Sequence, residues 1–243
     1  MTLADVCVPP SRPARGHLAV RRLGLLPYGE AVVMQEELAE QRRLDLVPDT
    51  LLLLEHPPVI TLGRRAQLGD VYLPETELRR RGIALERSTR GGLVTYHGPG
   101  QLVGYPILKP HALGRTIPEY VCGLQRAILA ALAEIGIDAR SDADHVGVWT
   151  SQGKIAAIGV AQRHGVTLHG FAVNLQPDLG HFALINPCGI GALGVTSAEA
   201  LLGHPVDVEA FKSRVAAALE SKLAEKAFNR TCSTSSRDNP NSD

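Results

Sequence analysis

Cys188, Lys154, His97 and His169 are the side chains of this 243-residue sequence best placed to do chemistry. Cys188 lies in Asn186-Pro187-Cys188-Gly189-Ile190-Gly191. Proline and glycine on either side hold it on a turn, and turns present side chains into clefts. A small buried hydrophobe is the alternative fate of a free cysteine, and its neighbours alone leave both open. A thiol with a pKa of about 8.5 is only a few per cent thiolate near neutrality, so a nucleophilic cysteine needs help. Lys154 is a candidate helper. It follows Gly153 and heads the apolar run 155–160. A lysine there serves as an edge-strand charge that blocks aggregation. If buried instead, its pKa falls. It then takes a thiol proton when neutral, or stabilises the thiolate when charged.

His97 and His169 are each followed by glycine, and each could be a base or a ligand. A His/Cys pairing of the thiol-protease kind is open on residue types. The plainer role, a hydrogen-bonded structural histidine, is preferred for both. His56, His97 and His169 show no HxH or HExxH spacing, so no metal site is expected. Gly189-Ile190-Gly191-Ala192-Leu193-Gly194 matches GxGxxG, but Asn186-Pro187 precedes it rather than a strand, and nucleotide binding there is discounted. Cys122 sits among apolar residues of an expected helix and is read as packed or inert.

The stretch from Arg90 to Pro106 interleaves glycines with Arg90, Tyr96, His97, Gln101 and Tyr105. Glycine lets backbone approach a ligand closely. Val94, Leu102 and Val103 read as strand, so the stretch is an ordered loop between short strands rather than a linker.

Around these residues the pattern alternates. Strands are expected at 17–25, 50–55, 59–62, 93–96, 102–107, 146–150, 154–162 and 168–175. His56-Pro57-Pro58 breaks the second from the third. Helices are expected at 29–44, with Ala31, Met34, Leu38 and Gln41 on one face, at 118–135 and at 207–228. Thr196-Ser197-Ala198-Glu199 reads as a capping box opening a short helix. Without a strict βαβ repeat, this is an α+β (mixed α/β) domain built on antiparallel hairpins.

Lys plus Arg equals Asp plus Glu, 25 each, which argues against nucleic acid as a partner. Hydrophobic residues make up 44%, enough for a sizeable core. No apolar run reaches the roughly 18 residues of a membrane span, and the first residues lack a signal-peptide core. The scattered Cys7, Cys122, Cys188 and Cys232 suggest neither a disulfide framework nor zinc. A cytoplasmic location is expected. Residues 1–16 are expected to be loose, 17–228 to form a single catalytic domain, and 229–243 to be a disordered polar tail.

Five segments, taken in order, resemble the lipoyl(octanoyl) transferase family. They are Glu55-His56-Pro57-Pro58-Val59, residues 90–101, Gly153-Lys154-Ile155-Ala156-Ala157-Ile158-Gly159, His169-Gly170-Phe171-Ala172-Val173-Asn174 and Ile185-Asn186-Pro187-Cys188-Gly189. The resemblance spans about residues 23–202. It implies a biotin/lipoyl protein ligase-like fold, a mixed, mainly antiparallel sheet with packed helices. It implies transfer of an octanoyl group from octanoyl-acyl carrier protein to a lysine of lipoyl domains, in 2-oxoacid dehydrogenases or the glycine cleavage H protein. By position, Cys188 is then the nucleophile that carries the acyl thioester, and Lys154 lowers its pKa and moves protons. Arg90, Gly91, Gly92, Leu93, Val94, Thr95, Tyr96 and His97 line the acyl site. Ala157, Ile158, Gly159, Gly170, Phe171 and Ala172 complete it. No cofactor is implied, and a monomer is expected. An ATP-dependent lipoate or biotin ligase of the same fold is the alternative, although no GRGRxG-like adenylate loop is present.

Overall fold

The computed structural model describes residues 18–142, 145–186 and 194–225. The expectations for residues 1–16 and 229–243, the GxGxxG match and Cys188 itself fall wholly or mainly outside those residues. Among the described residues ten strands form two sheets: β1 (Ala19–Leu25), β2 (Thr50–Glu55), β3 (Val59–Leu62), β4 (Ala84–Arg87), β5 (Val94–His97), β6 (Gln101–Ile107), β7 (Arg140–Ser141), β8 (Val148–Thr150), β9 (Gly153–Arg163) and β10 (Val166–Asn174). The larger sheet runs β1-β2-β6-β10-β9-β8-β7 and the smaller β4-β3-β5. Only β1–β2 and β3–β4 pair in parallel, so the fold is mixed and mainly antiparallel as expected.

Period-two alternation decides which way each central strand points its side chains. On β2, Leu51 and Leu53 enter one core, while Leu52 and Leu54 enter another. The first core is covered by α3 (Ile117–Ala133) and α5 (Val208–Ala224), whose Leu124, Ile128, Leu132, Phe211, Val215 and Leu219 are buried. Thr116 caps α3 by accepting from the Glu119 N–H, and the Glu119 carboxylate accepts in return from the Thr116 N–H. The second core is covered by α1 (Tyr28–Arg43) through Ala31, Leu38 and Ala39. Here Gln41 is exposed, not inward, and Gln35 is buried instead because its Oε1 accepts the His169 backbone N–H at 2.8 Å.

The short helix α4 (Ala198–Leu202) begins one residue later than the capping-box reading required. Ser197 is the cap, accepting from the Ala200 N–H, while Glu199 sends its N–H to the Leu175 carbonyl. α2 (Glu75–Arg80) and β4 were not legible in the sequence. α2 buries only Leu78, and β4 is an edge strand with no buried residue, so neither carries an apolar period. Cys122 is packed on the buried face of α3 as expected, and it is disulfide-bonded. No described helix is long and apolar enough to cross a membrane.

Candidate active site

The site forms where β9, β10 and β6 of the large sheet meet the segment leading into β5 of the small one. Along the β9–β10 hairpin, Ala157 faces Ala172, Ile158 faces Phe171 and Gly159 faces Gly170. Small residues are required at the last pair. A Cβ at Gly170 would stand 2.2 Å from the Gly104 carbonyl oxygen, and one at Gly159 would stand 3.0 Å from that of Gly91. The Gly91 N–H donates to the Val160 carbonyl at 3.0 Å, which ties the glycine-rich loop to the sheet. Arg90 is buried and anchors the loop from the other side. Its guanidinium donates to the Thr61 carbonyl at 2.7 Å and to Thr61 Oγ1 at 2.9 Å.

These elements enclose a cavity of about 210 Å³. Of the residues singled out in the sequence, Arg90, Gly91, Gly92, Val94, Thr95, His97, Lys154, Ala157, Ile158, Gly159, Gly170, Phe171 and Ala172 line it. Leu93 and Tyr96 do not. Tyr96 turns into the core of the small sheet, packs edge-on against Phe182, and pairs its hydroxyl with His181 Nδ1 at 2.9 Å. The chain enters the neighbourhood of Cys188 at Ile185 and Asn186. Ile185 bridges to Val71, and the Asn186 N–H donates to the Asp70 carbonyl at 2.8 Å. On the other side of Cys188 in sequence, the Gly194 carbonyl accepts the Lys154 N–H at 3.1 Å, while the Thr196 N–H donates to the Lys154 carbonyl at 3.0 Å. Lys154 is therefore not an edge charge. It sits on an interior strand, 9% exposed, with Nζ 5.1 Å from the centre of the Trp149 ring, within range of a cation–π contact. Gly147 makes room for it, since a Cβ there would stand 2.4 Å from Lys154 Cε.

A buried polar cluster contributes His97, Tyr105 and His169 to the lining, with His56 packed behind them. His56 Nδ1 lies 2.6 Å from the Leu26 carbonyl, so that nitrogen carries the proton. Its Nε2 then accepts from the Tyr105 hydroxyl at 2.7 Å. Burial pushes the His56 pKa down to about 4, against the opposing bond to the Leu26 carbonyl. Burial, with His56 nearby, pushes His97 to about 3, although its bond to Gln101 works the other way. Burial and the Arg90 charge push His169 to about 4. His169 Nε2 hydrogen-bonds with Thr89 Oγ1 at 2.8 Å, and its Nδ1 has no partner among the described residues. His169 also holds φ at +58°, a strained value for a non-glycine residue. All three imidazoles are neutral at pH 7. No group of three or more His, Cys, Asp or Glu among the described residues could hold a metal ion.

Gln101, Tyr105 and His169, also singled out in the sequence, line the cavity too, whereas Tyr28, Val103, Trp149 and Asn174 line it with no site role read for them. Val103 had a usable signal: it alternates with Gln101 and Tyr105 on one face of β6. Tyr28 had none, because it arrives from the start of α1.

The chain matches the lipoyl protein ligase A/B catalytic domain over residues 27–220. It is 46% identical over 193 residues to an octanoyltransferase of Desulforamulus reducens, covering 79% of this chain and 85% of that protein. Its fold is similar to lipoate-protein ligase A bound with ATP, with a TM-score of 0.66, 18% identity, and 86% and 85% of the two chains covered. It is also similar to the biotin protein ligase of Aquifex aeolicus in complex with biotin and ATP, with a TM-score of 0.52, 16% identity, and 84% and 70% covered.

Proposed function

The chain belongs to the octanoyltransferase family of lipoyl protein ligase A/B catalytic domains, and we propose that it transfers the octanoyl group through a thioester on Cys188, assisted by Lys154. The donor is octanoyl-acyl carrier protein. The acceptor is a lysine of a lipoyl domain, in a 2-oxoacid dehydrogenase or the glycine cleavage H protein.

One observation carries this reading. Lys154 is buried in the cavity wall, and its backbone is bonded to Gly194 and Thr196, six and eight residues after Cys188 in sequence. An amine held at that place can take the thiol proton or steady the thiolate. The thiolate attacks the donor carbonyl, the C–S bond to the carrier breaks, and the carrier thiol leaves with a proton. Exchange of one thioester for another is near balance, so loading needs no ATP. The acceptor amine then forms an amide, which drives the second half forward. Val103, Ala157, Phe171 and Ala172 offer apolar surface to the acyl chain, at roughly 0.8 kcal/mol per buried CH₂.

The test is octanoyl transfer from the carrier to a lipoyl domain with ATP omitted. Reductant is included because Cys122 is disulfide-bonded. Transfer under these conditions, abolished in Cys188→Ala, is the expected result. An absolute requirement for ATP would favour a ligase instead. Undiminished transfer by Cys188→Ala would remove the thioester.

A further inference from the structure

A hydrogen-bonded chain along one cavity wall fixes the proton positions on His97. Asn174 Nδ2 donates to the Thr196 carbonyl at 3.0 Å, which turns Asn174 Oδ1 toward Gln101. Gln101 Nε2 donates to that Oδ1 at 2.9 Å and to the Tyr96 carbonyl at 3.2 Å. A carbonyl can only accept, so reversing either amide would set oxygen against oxygen. Gln101 Oε1 therefore faces His97 Nδ1, at 2.7 Å, and that nitrogen carries the proton. His97 Nε2 is left as a bare lone pair on a ring that lines the cavity. Tyr28 stacks parallel to the ring, 9° from coplanar with centroids 6.4 Å apart, and sets its plane.

We propose that His97 Nε2 accepts a hydrogen bond from the amine of the acceptor lysine as it attacks the acyl-enzyme, and that Gln101 is the positioning residue that keeps the lone pair there. The inference rests on the Cys188 thioester reading. The first half-reaction brings a carbonyl, a sulfur and methylenes to the reacting centre, none of which needs an acceptor. The second brings an amine. Its own lone pair must point at the acyl carbon while its hydrogens enter a site where His97 is only 6% exposed. A buried N–H without an acceptor is costly, and Nε2 supplies one. The C–N bond forms, the C–S bond breaks, and the electron pair passes to the Cys188 sulfur. One amine proton reaches that sulfur through Lys154, and the other stays on the amide nitrogen. His97 holds the one that stays. Its weak basicity suits this task, because it accepts a hydrogen bond without removing the proton.

The experiment is single-turnover kinetics on the full chain with reductant, octanoyl-carrier donor and lipoyl-domain acceptor, timing acyl-enzyme formation and consumption separately by intact mass. His97→Phe, similar in shape but without the lone pair, should lower the ratio of consumption to formation rate by about tenfold or more. Gln101→Met should lower the same ratio by less. Nitrogen-15 histidine spectra of the wild-type protein should show His97 protonated at Nδ1 and bare at Nε2, a readout that needs no variant to fold. An unchanged ratio in folded His97→Phe, equal loss in both halves, or a proton on Nε2 would overturn the inference while leaving the thioester intact. Absence of any acyl adduct on wild-type Cys188 would instead overturn the reading beneath it.

Discussion

The two faces of the large sheet bury different chemistry. Toward α3 and α5 the buried side chains are almost all hydrocarbon, among them Leu53, Leu124, Ile128, Phe211 and Leu219. Toward α1 and the small sheet, the strands present Gln101, Tyr105 and Asn174. These join Arg90, His97 and His169 in a wall that is also buried, with His56 packed behind it. Apolar burial supplies the larger stabilising contribution per residue. Buried polar groups only recover the cost of leaving water if they are paired. The molecule thus concentrates its least forgiving contacts around the cavity, where orientation matters more than stability.

If that division is real, substitutions on the two faces should fail in different ways. Lys154→Ala should slow octanoyl transfer on the order of 10²- to 10⁴-fold with little change in melting temperature. A near wild-type rate would remove its role in proton transfer. Phe211→Ala, on the apolar face, should cost about 3–5 kcal/mol of stability in denaturant titrations, while the protein that remains folded turns over normally. A catalytic defect in the folded fraction would mean that the faces are not independent.

Acid should weaken the polar face first. His56 and His169 titrate near 4 in the folded protein and His97 near 3, against about 6.5 in the unfolded chain. The unfolded state therefore binds more protons below pH 6.5. Stability is fully present above that value and declines as pH falls toward 4. Thermal melts should lose several degrees between pH 7 and pH 5, above the range where ordinary carboxylates titrate. A flat melting temperature over that interval would mean that the imidazoles are not held neutral. The smallest effect belongs to a helix cap: Ser197→Ala should cost about 1 kcal/mol in denaturant titrations through the lost cap of α4.

The same contrast explains what could be read from the sequence. The apolar face was legible, because Leu124, Ile128 and Leu132 recur at helical spacing. Gly159 and Gly170 were legible as members of the acyl site but not in their reason, because the close approach of the Gly91 and Gly104 backbone exists only in the fold. The polar face was legible in its members but not in its partners. A buried Gln101 or Asn174 has the same letter as a solvated one, and only the fold brings Thr196, Asn174, Gln101 and His97 into one chain. Gln35 was missed for the same reason, because its place on the inner face of α1 is set by the His169 backbone N–H. Lys154 was read both ways, and the difference lay in whether another strand covered β9. β8 does, so the lysine is interior.

The most direct test of this account is intact and peptide-mapped mass spectrometry of the reduced protein after brief exposure to octanoyl-acyl carrier protein without acceptor. One hydroxylamine-labile octanoyl group on Cys188, discharged when a lipoyl domain is added, is the expected result. An octanoyl group found only on another residue, or transfer that proceeds with Cys188 never acylated, would contradict it.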